Sequence, residues 1–153
     1  MNTSIQKTRI VIAEDEAIIR LDLRETLEEE GYDVVADTGR GDTAIELVRQ
    51  HLPDVAIFDI KMPGLDGLDA ARVVSAEKLC PVVMLTAFSQ RELVERARDA
   101  GVMAYVVKPF SINDLLPAIE IAISRHRQMK SLEAEVADIY ERLETRKIID
   151  RAK

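Results

Sequence analysis

The chain has no tryptophan, a single cysteine, two histidines, six glycines and five prolines in 153 residues. With one cysteine, Cys80, no internal disulfide can form, so a reducing cytoplasm is the expected compartment. Cys80 has no histidine or cluster of cations near it in sequence, so it reads as a small buried hydrophobe rather than a nucleophile. His51 and His126 stand apart, without metal-ligand company, and both read as surface residues. Aromatic residues make up 4% of the chain, so the core is aliphatic. No apolar run is long enough to span a bilayer, and Met1–Lys7 lacks the apolar stretch of a signal peptide. Cationic charge is also short. The net charge of −7 argues against binding nucleic acid or membranes through the surface as a whole.

What the chain does have is a series of short aliphatic runs: Arg9–Ala13, Val34–Ala36, Val55–Phe58, Val82–Leu85 and Ala104–Val107. They are rich in Val and Ile and do not alternate with polar residues, so both faces of each strand should be covered. Helical spacing fills the gaps, with Ile19, Leu23 and Leu27, then Ala44, Leu47 and Val48, then Leu68, Ala71 and Val74, then Leu93, Val94 and Ala97. Gly31 and Gly101 are helix stops, and Pro63-Gly64 with Asp66 opens the third helix. Alternating strand and helix with short links predicts βαβ units and a doubly wound parallel sheet.

Four of the runs end on polar residues: Glu14 and Asp15, then Asp59, then Thr86, then Lys108. In a parallel sheet these meet at the carboxyl edge, where open α/β folds place their chemistry. Asp59, ending a central strand, needs a counter-charge or a metal. Three neighbouring carboxylates repel unless a divalent cation sits among them, and hard oxygen ligands suit Mg²⁺. A metal, the Lys108 ammonium and the Thr86 hydroxyl around one carboxylate form a clamp for a phosphoryl group. Asp59 is then the nucleophile. Taken singly, each residue also fits a helix cap or a loop. Four of them after four strands do not.

These residues resemble the signature of a two-component response regulator receiver domain over about residues 8–127. The resemblance implies a five-stranded flavodoxin-like sheet of order 2-1-3-4-5. It makes Asp59, within Asp59-Ile60-Lys61-Met62-Pro63-Gly64-Leu65-Asp66-Gly67, the phosphoacceptor. It makes Thr86 the switch hydroxyl, Tyr105 the switch aromatic and Lys108 the essential ammonium, with a cis bond to Pro109. Mg²⁺ would be held by the pair Glu14 and Asp15, by Asp59 and by the backbone carbonyl of Lys61. Glu14 stands where many receivers carry Asp, and it can reach the metal through water. The implied activity is that of a signalling switch, catalytic only in its own phosphorylation from a sensor histidine kinase and its own dephosphorylation. Phosphorylation would draw Thr86 toward the phosphoryl oxygens and Tyr105 inward. Lys61 and Phe88 would tune the phosphorylation lifetime. On its own features, Tyr105 also fits a strand-end aromatic half-packed in the surface.

Rival readings of an α/β sheet fare worse. Glu14-Asp15-Glu16 would repel the phosphate of a flavin, the glycine-lysine signature of a P-loop is absent, and no Asp-x-Asp follows the first strand as in aspartyl phosphatases.

The last helical pattern outgrows the domain. Opened by Ser111 and Asp114 and carrying Pro117 in its second turn, it meets no further Gly or Pro before Lys153. As one helix it would be roughly 60 Å long at about 1.5 Å per residue. Met129, Leu132, Val136, Ile139 and Leu143 repeat as a heptad seam, which suits a partner helix, a homodimer included; a solvated helix with an apolar stripe is the alternative. Residues 1–7 read as a flexible tail and 128–153 as a helical extension. Leu143–Lys153 resembles the opening of an ANTAR module, the RNA-binding unit of antitermination response regulators, of which only the first helix is present, as in a truncated or naturally short chain. From Asp138 onward five basic residues face four acidic ones, so RNA binding by this chain should be weak or absent. The remaining functional alternatives are a stand-alone receiver signalling through protein contacts and a pure dimerisation module.

Overall fold

The computed structural model describes residues 7–87 and 91–151, with backbone alone for 91–94 and 145–151. Residues 1–6 of the expected tail, Phe88 and the side chains of Leu93, Val94 and the last stretch of the ANTAR-like segment lie outside the described residues. Strands β1 (Arg9–Ala13), β2 (Asp33–Thr38), β3 (Val55–Asp59), β4 (Val82–Thr86) and β5 (Ala104–Val107) alternate with helices α1 (Ala17–Glu29), α2 (Gly41–His51), α3 (Gly67–Ala76), α4 (Arg91–Asp99) and α5 (Ile112–Arg151). All pairings are parallel and the order is β2-β1-β3-β4-β5.

The missing alternation in the strands has a direct cause. Val11, Ala13, Ala56, Phe58, Val82 and Met84 pack into one core with α2, α3 and Ala97 of α4. Their neighbours Ile10, Ile12, Val55, Ile57, Val83 and Leu85 pack into the other, with Leu23 and Leu27 of α1 and Leu115, Ile119 and Ala122 of α5. Helices on both faces let every strand position be apolar. Gly31 at φ +94° and Gly101 at φ +84° follow α1 and α4, as expected of helix stops. The Asp66 carboxylate caps α3 by accepting from the Asp69 N–H at 2.8 Å. The Asp114 carboxylate accepts from the Ser111 N–H at 3.0 Å, the return half of a capping box at the start of α5.

Helix α5 runs unbroken through Pro117 from the carboxyl edge of the sheet and out beyond the domain. Met129 is half-buried, so the proposed seam begins against the domain. Leu132, Val136, Ile139 and Leu143 are exposed, joined by Tyr140, which the heptad reading omitted. The ammonium of Lys78, in the turn after α3, lies 3.3 Å from Glu133 and ties the base of the extension to the domain. His126 corrects the sequence reading. It is only 8% exposed, and among the described residues neither ring nitrogen has a partner. It lines a cavity of about 190 Å³ with Pro53, Asp54, Cys80 and Lys130. A histidine flanked by two arginines looked solvated, but α5 turns that position onto the sheet's amino edge. Cys80 is buried, as expected, and burial pushes its thiol up to about 12.

Candidate functional site

Parallel register brings the four strand ends level. Asp59, last in β3, pairs with Leu85, next to Thr86, which ends β4. Lys108 follows β5, and its N–H donates to the Thr86 carbonyl at 2.7 Å. Glu14 continues β1, with its N–H on the Thr38 carbonyl at 2.9 Å. One oxygen from each of Glu14, Asp15 and Asp59 lies within 4.8 Å of the others. Beside them opens a cavity of about 260 Å³, lined by Asp15, Glu16, Ile19, Asp59, Ile60, Lys61, Thr86, Ala87 and Lys108. Every expected metal and phosphoryl residue is therefore at this edge, except that Glu14 does not line the cavity.

The charges settle unevenly. The Lys108 Nζ is 2.7 Å from a Glu14 oxygen and 3.4 Å from Asp59, so its nearer partner is the buried glutamate rather than the aspartate. Burial works to raise the Glu14 carboxyl, but hydrogen bonds from Asp59 and Lys108 outweigh it and hold it below its ordinary range. Burial, then the adjacent Glu14, push Asp59 up to about 7, against the pull of Lys108. The Lys108 ammonium offsets part of the carboxylate repulsion, and the rest shows as the raised pKa of Asp59. Three oxygen donors around a partly exposed space fit a hard divalent cation such as Mg²⁺, which favours the ionised carboxylates.

The loop after Asp59 is held by contacts that only glycine allows. A Cβ on Gly67 would sit 1.9 Å from the Asp59 carbonyl oxygen, and one on Gly41 would sit 1.8 Å from that of Leu65. The Gly67 N–H donates to Ile60 at 2.6 Å and the Gly41 N–H to Pro63 at 3.2 Å. The first residues of α2 and α3 therefore clasp the segment that carries Lys61. Tyr105 lies on the edge strand, 44% exposed, and the Lys108–Pro109 bond is cis. Sequence reasoning missed Arg20, whose guanidinium reaches the Glu14 carbonyl oxygen at 2.7 Å. Its position one turn into α1 is the only sequence signal of that role.

The family model described as the response regulator receiver domain matches residues 10–120. The chain belongs to that family. This receiver is 61% identical over 145 residues to the transcriptional regulatory protein PdtaR of Mycobacterium tuberculosis, covering 95% of this chain and 71% of PdtaR. It is 34% identical over 112 residues to the chemotaxis protein CheY of Bacillus subtilis, covering 72% of this chain and 93% of CheY. Among solved structures it is similar to the signal receiver domain of the response regulator NarL from M. tuberculosis, at 27% identity and TM-score 0.75, covering 78% of this chain and 98% of that one. A DNA-binding response regulator of the LuxR family from Staphylococcus aureus matches at 32% identity and TM-score 0.72, covering 76% and 98%. A receiver of this family takes its signal from a sensor kinase. None of the helices among the described residues is long and apolar enough to cross a membrane.

Proposed function

We propose that this receiver is a phosphorylation switch in which Asp59 accepts a phosphoryl group from a sensor histidine kinase with Mg²⁺ present. The observation that carries this is the convergence of Glu14, Asp15 and Asp59 within 4.8 Å, beside Thr86 and Lys108. One Asp59 oxygen attacks phosphorus as the P–N bond to the donor histidine breaks. Water later attacks the same phosphorus, releasing phosphate and restoring the carboxylate. Bound Mg²⁺ would neutralise phosphoryl oxygens, with Asp15, Asp59, the Lys61 carbonyl and, through water, Glu14 holding it. Lys108 is positioned to leave Glu14 for a phosphoryl oxygen, and Thr86 to donate to another. Tyr105, half-exposed at the edge strand, is free to report the change by moving inward. The donor finds apolar surface beside the cavity on α1, where Ile18 is 85% exposed and Leu21 is also exposed.

For the output we infer the antitermination class, with RNA binding residing in a module of which this chain holds the opening helix. The stripe Leu132, Val136, Ile139 and Leu143 pairs with a partner helix, a second copy included. The exposure of that stripe also favours a second reading, signalling by protein contact alone.

The test is incubation of the chain with Mg²⁺ and acetyl phosphate. One added phosphoryl mass is expected on the wild type and none on Asp59→Asn or without Mg²⁺. An unmodified wild type sinks the switch. Light scattering before and after phosphorylation decides whether the stripe associates. Tight binding of structured RNA by this chain would show that the extension alone carries the output.

A further inference from the structure

We propose that Arg20 is a positioning residue for the cation site, holding the Glu14–Asp15 backbone in the orientation that aims both carboxylates inward. The inference rests on the Mg²⁺ reading above. Arg20 lies on α1, one turn beyond the acidic pair, and is not among the residues that line the cavity. It donates to the Glu14 carbonyl oxygen at 2.7 Å, and its Nε lies 3.2 Å from an Asp37 oxygen at the end of β2. Asp37 in turn pairs with Arg24, which also meets Glu28 at 3.6 Å and donates to the Val34 carbonyl at 3.2 Å. Gly39 makes the room, since a Cβ there would lie 2.8 Å from the Arg20 guanidinium and 3.5 Å from the Asp15 Cα.

These contacts fix the two peptide units that flank Glu14, one on each side of its Cα. The Glu14 N–H is spent on Thr38 and its carbonyl on Arg20. Asp15 itself is exposed, and among the described residues its carboxylate makes no hydrogen bond or ion pair with Glu14, Asp59 or Lys108. Its aim therefore depends on the backbone that carries it. Two effects of removing Arg20 oppose each other. Losing a cation near the site would strengthen Mg²⁺ binding, whereas freeing the carbonyl would weaken it by loosening the ligands. Arg20 and Arg24 share Asp37, and Glu28 supplies the second carboxylate, so the cluster is balanced and partly exposed and the positioning effect wins.

The experiment is a Mg²⁺ titration of the full chain followed by backbone amide shifts, for wild type, Arg20→Gln and Arg24→Gln, with thermal melts in the absence of metal. Arg24 shares Asp37 but, among the described residues, makes no hydrogen bond or ion pair to the acidic loop, so it reports the loss of a comparable surface charge and ion pair. Arg20→Gln should weaken Mg²⁺ binding about tenfold, at the low end for groups that orient metal ligands. It should also shift the metal-free amides of residues 14–16, while Arg24→Gln stays within about twofold of wild type, as expected of a partly exposed charge. Unchanged or tighter binding by Arg20→Gln overturns the proposal, as does an equal loss in Arg24→Gln. A wild type that binds no Mg²⁺ removes the cation reading itself, and the role of Arg20 falls with it.

Discussion

His126 carries both ring nitrogens into a cavity where, among the described residues, no group accepts from or donates to them. Burial, then the nearby Lys130, hold its pKa below the ordinary histidine value, against a weaker pull from Glu133. A base whose folded pKa is depressed stabilises the fold above its unfolded pKa and loses that contribution as pH falls through the folded value. His126→Leu should therefore flatten the acid side of the stability profile below about pH 6.5. It should also raise neutral stability by about 1 kcal/mol, because an unsatisfied buried group costs about that much or more. Urea melts at pH 5 and pH 7.5 check both. The same scale shows where sequence reading runs out. Asp15, Asp59, Thr86 and Lys108 were legible because each follows an aliphatic run, a pattern that survives without coordinates. The pairing of Lys108 with Glu14 was not, since it depends on side-chain reach across 94 positions of sequence. The burial of His126 was hidden by its charged neighbours, and only the phase of α5 decides which of the three faces inward.

Elements were read well where burial imposed a period and less well at their ends. The strands were found within two residues because two helical layers require continuous aliphatic runs. Asp59 and Thr86 belong to β3 and β4 themselves, as polar residues that keep ladder geometry while their side chains meet the site. The clasp of α2 and α3 on the loop between them had no sequence signal beyond two glycines. Its strength can be tested at Gly67. A methyl group 1.9 Å from the Asp59 carbonyl forces either α3 or the end of β3 to move. Gly67→Ala should cost about 2–3 kcal/mol, the upper range for overpacking. Because the displaced atom belongs to Asp59, the proposed phosphoacceptor, phosphorylation by acetyl phosphate should slow as well. A variant that melts early yet phosphorylates at the wild-type rate would show that the clasp is structural only.

At the scale of the molecule, the chemistry and the extension sit at opposite edges of one sheet. The site lies where the strands end, while Lys78, Cys80, Pro81 and Asp54, which flank the departing helix, lie where strands begin. Ending the chain after Ser131 should therefore leave phosphorylation of Asp59 by acetyl phosphate within about twofold, as expected for a change remote from the reacting groups. It should abolish any association seen by light scattering, since Leu132, Val136, Ile139 and Leu143 are gone. A severalfold change in phosphorylation rate would mean that the extension folds back on the site. Helix α5 runs from one edge to the other, starting four residues after Lys108 and passing Glu133 on its way out. Mechanically it is a cantilever clamped across the sheet. Its free arm beyond Glu133 spans about 18 residues, or roughly 27 Å at about 1.5 Å per residue. A tilt of about 5° at the clamp sweeps the tip through roughly 2 Å, about half the rise of a helical turn. A small tilt of the helix where it crosses the sheet is therefore magnified at the far end of the arm.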